Sequence, residues 1–530
     1  MKILIAEKIA PAAVDLLKQE ARWTVLTHEQ LDGKLARELE NADALIVRSA
    51  VQADAKLLEH AKQLRVIGRA GVGVDNIDLE AATKKGIAVM NTPGANAVAV
   101  AEHTLGLMLA LARHLTRADA LTRGGKWEKK SLLGSELRGK TLGIVGLGRI
   151  GVEVARRAGA FQMKLIAYDP YVSATTALDA GVTMVATLNE LYDTADYITL
   201  HLALTPQSNR MIDAKAIARM RPGVRIINCA RGELVDEAAL AAALKSGQVA
   251  GVGIDVFTQE PPADSPLLAL PNVIATPHIG GSTREAQDAV GYQIAVQVKE
   301  FLKHGVIQNA VNVPSVTEEE YAQMQPYIVL AERLGSFLAQ ATEGNLLEIS
   351  IRYGGPIADW KTDLIRNGAI KGILNQMLSE GANLVNAASI AGERGINWGE
   401  VKKAKAANGG AANVLSILLR STREEHLASG TVLHGRFPRL LGIDGIDIEA
   451  PLEHNLIYLR NRDVPGVIGK IGTILGKHHI NIANFSLGRR EHGRPPEAVS
   501  VVHVDSTVPE NVLAALRKVE AITQAKAIRL

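Results

Sequence analysis

Three polar residues in separate parts of the chain could together oxidise a hydroxy acid. They are Arg231, Glu260 and His278, and each lies shortly after a run of apolar residues that is typical of a β-strand. An arginine offers a planar fork that binds a carboxylate through two parallel hydrogen bonds. A histidine titrates near neutral pH and can exchange the hydroxyl proton, and a neighbouring glutamate favours its protonated form. The set therefore predicts a site that holds a 2-hydroxy acid for hydride transfer.

Each of these residues has an ordinary structural interpretation when it is taken alone. An arginine after a strand is usually a surface residue, a Glu-Pro-Pro sequence is typical of a turn, and His278 could be a loop histidine. Their shared position after predicted strands favours the catalytic interpretation. His201, which follows another predicted strand, is expected to line or support a cofactor pocket. Cys229 is expected to be a small buried residue, because no neighbouring motif supplies a base to activate it as a nucleophile.

A second pattern predicts the group that accepts the hydride. Residues 141–151 combine an apolar strand, a glycine turn and the start of a helix, and the next strand ends at Asp169. Gly146 would allow a tight turn, Gly148 would let the backbone approach a pyrophosphate, and Gly151 would let the helix pack closely. Asp169 would hydrogen-bond the adenosine ribose and repel a 2′-phosphate, which favours NAD over NADP. The alternative is a glycine turn without ligand, which the flanking strands and the terminal acid disfavour.

The scaffold for these residues is predicted from the alternation of apolar strands and helical segments. Such alternation implies right-handed crossovers, parallel sheets covered on both faces, and a ligand at the carboxyl ends of the strands. A long helix over 97–117 is expected to lead into the glycine turn, and a helix over 283–303 is expected to return the chain to the first unit. The other predicted strands cover 2–6, 44–47, 65–68, 196–200, 224–228, 249–254 and 273–275.

The expected fold class is α/β, with two doubly wound domains of the Rossmann-like or flavodoxin-like kind. The substrate-binding domain would comprise residues 1–98 and 285–316, and the NAD-binding Rossmann domain residues 99–284. Two crossings between the domains suggest a hinge, so the chemistry should lie between them. The apolar segment 102–115 is interpreted either as a dimer seam or as an internal core helix.

The remaining part of the chain shows no catalytic pattern. Residues 317–452 mix helices with short strands and predict an α+β domain with a structural or regulatory role. In residues 453–530, strands at 455–460 and 498–504 and helices at 467–478 and 512–518 indicate a β-α-β-β-α-β order. This order predicts a ferredoxin-like domain, whose small sheet often pairs edge to edge.

Composition excludes several classes of protein. A chain of 530 residues implies three or four domains at about 150 residues each. The formal net charge of +3 is not gathered into basic runs, which argues against nucleic-acid binding. A single cysteine and a charged N-terminus in place of a signal peptide favour the cytoplasm, and the apolar runs are too short for membrane insertion. No metal is expected.

Over essentially its whole length the chain resembles the D-isomer-specific 2-hydroxyacid dehydrogenases, in the long form with an intervening domain and a C-terminal ACT domain. Besides the glycine turn and the Arg-Glu-His set, the resemblance rests on residues 47–49, 68–76, 90–96 and 125–128. It implies NAD-dependent oxidation of 3-phospho-D-glycerate to 3-phosphohydroxypyruvate, the first step of L-serine biosynthesis, in a homo-oligomer expected to be a tetramer. It also implies that Arg231 binds the carboxylate, that Glu260 supports His278, and that His278 is the proton donor or acceptor.

The resemblance further implies which residues contact the ligands. The substrate phosphate would be bound by Arg48 and Arg69, with Lys129 reaching from a neighbouring subunit. Val72 stands where some relatives have threonine, which would remove one polar contact to the cofactor. The residues expected to bind substrate are Arg48, Ser49, Arg69, Gly73, Lys129 and Arg231. Those expected to bind NAD are Val72, Gly146, Gly148, Arg149, Ile150, Gly151, Asp169, Cys229, Ala230, Arg231, Asp255, His278, Gly280 and Gly281.

In the ACT domain, Asp463 and Asn481 match the ligand positions for L-serine, the product of the pathway. A carboxylate accepts from the serine ammonium and an amide both donates and accepts, which suits an amino acid shared between two subunits. The alternative is a domain that serves only for assembly. The intervening domain could bind an anionic effector or act as a spacer.

Two other functions remain open at the level of sequence. A related dehydrogenase acting on glyoxylate, hydroxypyruvate or 2-oxoglutarate would share the catalytic residues but depend less on Arg48 and Arg69. A binding protein that senses NAD would not need Arg231. The intact Arg-Glu-His set disfavours this second alternative.

Overall fold

In the computed structural model, which describes residues 1–172, 177, 180–314, 316–377, 381–403, 413–490 and 496–530, the strands form four β-sheets. The first sheet has five parallel strands in the order β2-β1-β3-β4-β5, which is the flavodoxin-like order. Strand β3 is fully buried, as expected for a parallel sheet covered on both faces. The elements are β1 (Lys2–Ile5), α1 (Pro11–Lys18), β2 (Thr24–Leu26), α2 (His28–Leu31), α3 (Leu35–Leu39), β3 (Ala44–Val47), α4 (Ala55–Glu59), β4 (Val66–Arg69), α5 (Leu79–Lys84) and β5 (Ala88–Met90).

The connection to the second sheet differs from the single helix predicted over 97–117. Helix α6 (Ala97–Arg113) ends where His114 adopts a left-handed backbone conformation with φ of 51°, and α7 (Leu115–Arg123) starts directly after it. The prediction was wrong beyond Arg113, because an apolar periodicity does not report a single left-handed residue. Most of α6 packs inside this chain, which favours the interpretation as a core helix.

The second sheet has seven parallel strands in the order β12-β11-β10-β9-β6-β7-β8. This order places the fourth strand of the unit beside the first, as in a Rossmann fold. The elements are β6 (Thr141–Val145), α8 (Arg149–Ala160), β7 (Lys164–Tyr168), β8 (Thr183–Met184), α9 (Leu188–Thr194), β9 (Tyr197–Leu200), α10 (Ala214–Arg219), β10 (Val224–Asn228), α11 (Glu237–Ser246), β11 (Val249–Ile254) and β12 (Val273–Ala275).

Helix α12 (Arg284–His304) returns the chain to the first sheet, as its apolar pattern predicted. Thr283 caps its N-terminus, and Ile294 and Val298 pack against Gly68 of β4. The chain then runs along β5, where the Asn312 side chain accepts a hydrogen bond from the backbone of Val89. The two units are therefore connected twice.

The third sheet has six strands in the order β14-β13-β15-β16-β17-β18, of which only the β13–β14 pair is parallel. Its elements are α13 (Glu318–Ala341), β13 (Leu346–Gly354), α14 (Asp363–Leu374), α15 (Ala387–Glu393), β14 (Asn397–Lys403), β15 (Val414–Ser421), β16 (Glu425–Leu433), β17 (Phe437–Ile443) and β18 (Ile446–Pro451). Short 3-10 helices cover Lys129–Leu132, Gly232–Leu234 and Pro356–Asp359.

The fourth sheet is antiparallel, in the order β20-β21-β19-β22. Its elements β19 (Asn455–Arg462), α16 (Val467–Lys477), β20 (Ile482–Arg489), β21 (Glu497–Val504), α17 (Glu510–Arg517) and β22 (Ile522–Arg529) follow the β-α-β-β-α-β order. The predicted fold class, with two doubly wound units followed by an α+β unit and a ferredoxin-like unit, is confirmed. Among the described residues, no helix is long and apolar enough to cross a membrane.

Candidate active site

The candidate residues lie at the carboxyl ends of parallel strands in both doubly wound sheets. Arg48 follows β3 and Arg69 ends β4, while Asp169, Arg231, Asp255 and His278 follow strands of the second sheet. Because parallel strands end at one edge of a sheet, each set shares one edge. Two contacts join these edges. The Nε atom of Arg231 donates to Oδ2 of Asp75 at 3.0 Å, and the Arg149 guanidinium donates to the carbonyl of Pro93. The site is therefore a cleft between the two units.

The structure brings Glu260 and His278 into direct contact. Oε2 of Glu260 lies 2.8 Å from Nδ1 of His278, and Oε1 accepts from the backbone N–H of Phe257 at 3.1 Å. With Nδ1 donating to the glutamate, Nε2 carries the lone pair that can accept a proton. The His278 side chain is 54% exposed, so it can reach a substrate in the cleft.

The loop that carries His278 is held by Asp255, which is 1% exposed. The Asp255 carboxylate accepts from Oγ1 of Thr276 at 2.6 Å and from the N–H groups of Ile279 and Gly280 at 2.9 and 2.7 Å. Burial would raise the pKa of Asp255, but its hydrogen bonds lower that pKa below the ordinary value. His278 itself adopts a left-handed conformation, with φ of 54°. Asp255 thus holds the geometry of the loop, and its expected contact with NAD stays a prediction.

His103 is a functional candidate that the sequence reasoning missed. It lies on α6, with Nε2 at 3.0 Å from Oγ1 of Thr276 and 3.4 Å from Oδ1 of Asp255. It therefore connects α6 to the loop that positions His278. The sequence shows only a single histidine in an apolar helix, which is more often a core residue than a site residue.

Arg231 is fixed by two hydrogen bonds, and a second arginine lies nearby. Besides the bond from Nε to Asp75, Nη1 donates to the carbonyl of Ala230 at 2.7 Å. Arg69 is mostly buried, and its Nε has no hydrogen-bond partner in the described part of the chain. Burial and the positive charge of Arg231 lower the pKa of Arg69, while Asp75 and Glu7 oppose this. The cleft therefore concentrates positive charge.

The loop that carries Arg48 and Ser49 is organised by Glu7, which the sequence reasoning also missed. The Glu7 carboxylate accepts from the N–H groups of Arg48, Ala50 and Val51 at 2.7, 3.1 and 3.0 Å. From the other side, the Asn76 amide donates to the carbonyls of Arg48 and Val51. Ser49 is exposed on this loop.

A cavity of about 210 Å³ lies beside this loop and is lined by Arg48, Lys8 and Asp288, among other residues. Lys8 is exposed and directly follows Glu7. No sequence pattern singled out Lys8, because one lysine after a strand is an ordinary surface residue. The tertiary structure places Lys8 beside Arg48 in this cavity.

The glycine turn has the geometry that a dinucleotide requires. Gly146 has φ of 92°, and a Cβ there would collide with the carbonyl of His201. A Cβ at Gly151 would collide with the carbonyl of Gly146, whereas the space beside Gly148 is open at the N-terminus of α8. A pyrophosphate could therefore approach the backbone N–H groups at this helix end. Ile150 lies in the first turn of the same helix.

Asp169 lies where the predicted order of elements put it, beside the glycine turn. Its Oδ2 accepts from the N–H of Leu147 at 2.9 Å and Oδ1 accepts from the N–H of Tyr171 at 2.8 Å. The carboxylate thus stands at the end of β7 next to the turn, which suits a ribose hydroxyl. The backbone N–H groups at the start of α8, the open space beside Gly148 and the Asp169 carboxylate together fit NAD.

The other residues expected near the cofactor lie on the same loops. The Val72 carbonyl accepts from the Asn91 amide at 2.6 Å, and Gly281 follows Gly280 on the His278 loop. Burial raises the pKa of Cys229 to about 12, so its thiol is neutral and not a nucleophile. Burial lowers the pKa of His201 to about 3, and this ring bonds Oγ1 of Thr199 at 2.8 Å. Both findings favour supporting roles for Cys229 and His201.

Lys129 lies on an exposed 3-10 helix, with Nζ 5.6 Å from the ring centroid of Trp127, which is also exposed. Its expected reach into a neighbouring subunit stays a prediction.

The two candidate serine-binding residues are not brought together within one chain. Arg489, at the end of β20, donates to both oxygens of Asp463, at 2.9 and 3.2 Å. Asn481 directly precedes the start of β20, where its amide donates to Asp505 at 2.6 Å. The strand separates the two positions by about 23 Å. A ligand that touches both would have to lie between two chains.

Comparisons with known proteins agree with this geometry. Residues 105–280 match the D-isomer specific 2-hydroxyacid dehydrogenase NAD-binding domain, residues 323–444 the D-3-phosphoglycerate dehydrogenase intervening domain, and residues 455–521 the ACT domain.

Among the relatives, the D-3-phosphoglycerate dehydrogenase of Methanocaldococcus jannaschii is 42% identical, with both chains covered completely. That of Bacillus subtilis is 37% identical over 100% of this chain and 99% of its own. Of the solved structures, a D-lactate dehydrogenase from Aquifex aeolicus in complex with NAD and lactic acid is 30% identical. It covers 59% of this chain and 100% of its own, with a TM-score of 0.54. The resemblance inferred from the sequence is confirmed, and the chain belongs to the D-3-phosphoglycerate dehydrogenase family of NAD-dependent oxidoreductases.

Proposed function

We propose that this protein oxidises 3-phospho-D-glycerate to 3-phosphohydroxypyruvate with NAD⁺, as the first step of L-serine biosynthesis. The observation that carries the proposal is the Glu260–His278 pair in the same cleft as Arg231 and Arg69. A proton acceptor, a carboxylate-binding fork and an additional cation are the groups that a phosphorylated 2-hydroxy acid requires.

The chemistry divides among the residues of the cleft. The glycine turn and Asp169 would hold NAD⁺, which when bound would supply the hydride acceptor. Arg231 binds the substrate carboxylate and so orients the carbon that is oxidised. His278 accepts the hydroxyl proton on Nε2, and the Glu260 carboxylate stabilises the imidazolium that results. In the reverse direction the same nitrogen returns the proton to the keto oxygen.

Arg48, Arg69 and Lys8 are proposed to bind the substrate phosphate. A phosphate near neutral pH carries close to two negative charges, and charge-assisted hydrogen bonds from several cations stabilise it. Arg48 and Lys8 share one cavity, which Asp288 also lines and so limits the net positive charge there.

The test is to follow NADH consumption by the purified protein with five keto acids. These are 3-phosphohydroxypyruvate, hydroxypyruvate, glyoxylate, pyruvate and 2-oxoglutarate. A clear preference for the phosphorylated acid supports the proposal, and a preference for another acid would keep the chemistry but reassign the pathway. No turnover with any of them would leave a binding protein that senses NAD. Arg48→Ala should reduce kcat/KM for the phosphorylated acid more than for hydroxypyruvate, whereas Lys56→Ala on the exposed part of α4 should change neither.

We also propose a homo-oligomer, expected to be a tetramer, in which L-serine binds between two ACT domains at Asp463 and Asn481. The separation of these residues within one chain supports a site built from two chains. L-serine at millimolar concentration should lower turnover or raise the Tm, and Asp463→Ala should abolish both effects. An unchanged rate and Tm would mean that the ACT domain serves only for assembly. Light scattering measures the mass of the oligomer and so tests the tetramer.

The single, buried Cys229 is consistent with the expected cytoplasmic location.

A further inference from the structure

The ion pair between Arg231 and Asp75 joins the two sides of the cleft. Arg231 follows β10 of the NAD-binding unit, whereas Asp75 lies between β4 and α5 of the first unit. Their atoms Nε and Oδ2 are 3.0 Å apart across 156 positions of sequence. The pair can exist only when the two units lie close together.

This pair constrains the orientation of the guanidinium. Asp75 engages Nε, and the Ala230 carbonyl engages Nη1. Two of the three nitrogens are therefore held by the protein, and the remaining nitrogen, Nη2, lies over Gly73. A planar fork held at two points cannot rotate freely, so its remaining N–H groups are presented in one direction.

The backbone beside the fork is shaped to admit it. A Cβ at Gly73 would collide with Nη2 of Arg231 and come within 2.8 Å of Oδ2 of Asp75. The absence of a side chain at Gly73 thus lets the ion pair lie directly on this loop.

The stability of the pair itself is not its main contribution. The Asp75 side chain is 66% exposed and that of Arg231 is 26% exposed, and ion pairs this accessible to water add little to folding. Asp75 also lies near Arg69, whose charge repels that of Arg231. The Asp75 carboxylate therefore offsets the repulsion between Arg69 and Arg231, the two cations that are proposed to bind the substrate side by side.

We propose that Asp75 is a positioning residue that aligns Arg231 for the substrate carboxylate when the two units close on each other. This inference deepens the proposed function and rests on its assignment of Arg231. It predicts that the negative charge at position 75 improves substrate binding, although the substrate is an anion. A carboxylate that merely competed with the substrate for Arg231 would have the opposite effect.

The experiment compares Asp75→Asn with the wild type in the reduction of 3-phosphohydroxypyruvate, or of whichever keto acid the wild type prefers. We expect KM to rise about tenfold or more, since misplacing an orienting group is costly, with a smaller change in kcat. The Kd for NADH and the Tm should stay as in the wild type. Asp32→Asn, an exposed aspartate of the same unit, is the matched control and should leave KM unchanged.

A double-mutant cycle separates action through Arg231 from an independent effect. In an Arg231→Lys background, Asp75→Asn should raise KM much less than it does in the wild type, because a lysine has no fork to align. Asp75→Glu should recover part of the lost kcat/KM. An unchanged or lower KM in Asp75→Asn, or equal effects in both backgrounds, would overturn the inference. If the wild type reduces no keto acid, the proposed function fails instead.

Discussion

At the scale of single residues, the candidate catalytic residue His278 is held from two sides. Glu260 bonds the ring at Nδ1, while the backbone N–H of His278 donates to the carbonyl of Asp255 at 2.8 Å. Asp255 in turn accepts from the amides that follow His278. The ring and its loop are thus positioned before substrate arrives, which is the usual requirement for efficient proton transfer.

Replacement of His278 by Gln should lower kcat by about 10²-fold or more, because no other group then exchanges the hydroxyl proton. The Kd for NADH should change little. His304→Gln, at an exposed histidine on α12, serves as the control and should keep the wild-type rate. A near-normal rate in His278→Gln would mean that the proton acceptor has been misassigned.

Replacement of His103 by Ala should lower kcat by roughly tenfold, because the loop anchored by Thr276 and Asp255 loses its bond to α6. His103→Gln retains a donor and should recover most of the rate. Hydrogen exchange at the Ile279 and Gly280 amides is the second measurement, and faster exchange is expected only in the alanine variant. If both variants kept the wild-type kcat and the wild-type exchange rates of these amides, His103 would not position the loop.

At the scale of elements, the ends of parallel strands assemble the site. Strands β6 and β7 put the glycine turn and Asp169 side by side, and β10, β11 and β12 bring Arg231, Asp255 and His278 to the same edge. The polarity of α8 adds a positive helix end beside the turn. The chemistry is therefore spread over short loops whose positions depend on a rigid sheet.

Replacement of Asp169 by Ala should raise the ratio of kcat/KM for NADP to that for NAD by at least about tenfold. Without the Asp169 carboxylate, the variant no longer repels the 2′-phosphate of NADP and no longer accepts a hydrogen bond from the ribose hydroxyl of NAD. Asp119→Ala, on the exposed α7, is the control and should leave the ratio unchanged. Steady-state rates with both cofactors test this, and an unchanged ratio in Asp169→Ala would place the ribose elsewhere.

At the scale of the whole molecule, a charged network joins the third and fourth sheets. His426 of β16 is 5% exposed and lies between Asp444 at 2.8 Å and Glu424 at 3.2 Å. Arg460 of β19 contacts the same Asp444 at 3.1 Å. The hydrogen bond to Asp444 raises the pKa of His426 above its ordinary value, although burial opposes this. The interactions of His426 with Asp444 and Glu424 thus stabilise the third sheet, and Arg460 connects Asp444 to the ACT domain.

The stability of this part of the molecule should therefore depend on pH. Because the pKa is higher in the folded than in the unfolded state, the stabilisation is fully present below about pH 6.5 and is lost as the pH rises through the folded-state value. Denaturant unfolding of the wild type and of His426→Gln between pH 6 and 9 should show the largest difference at the acidic end. A difference that is constant over this range would show that the charge on His426 contributes nothing.

Much of the site could be predicted because its residues follow local patterns. The glycine turn, Asp169, and the Arg231, Glu260 and His278 segments each stand directly after a strand whose apolar character is visible in sequence. The prediction that failed concerns one backbone angle, and the residues that were missed take part in contacts between distant segments. The turn at His114 depends on one backbone angle, and Glu7, Lys8 and His103 become part of the site only through packing.

The sequence by itself determined the fold class, the type of cofactor site and the three candidate catalytic residues, because periodicity and turn chemistry are local properties. Only the tertiary structure decided that Asp75 meets Arg231, that Asp255 is sealed under the His278 loop, and that Asp463 and Asn481 lie apart. These relations depend on the approach of two sheets or on the length of one strand. No spacing along the chain records how separate units come to face each other.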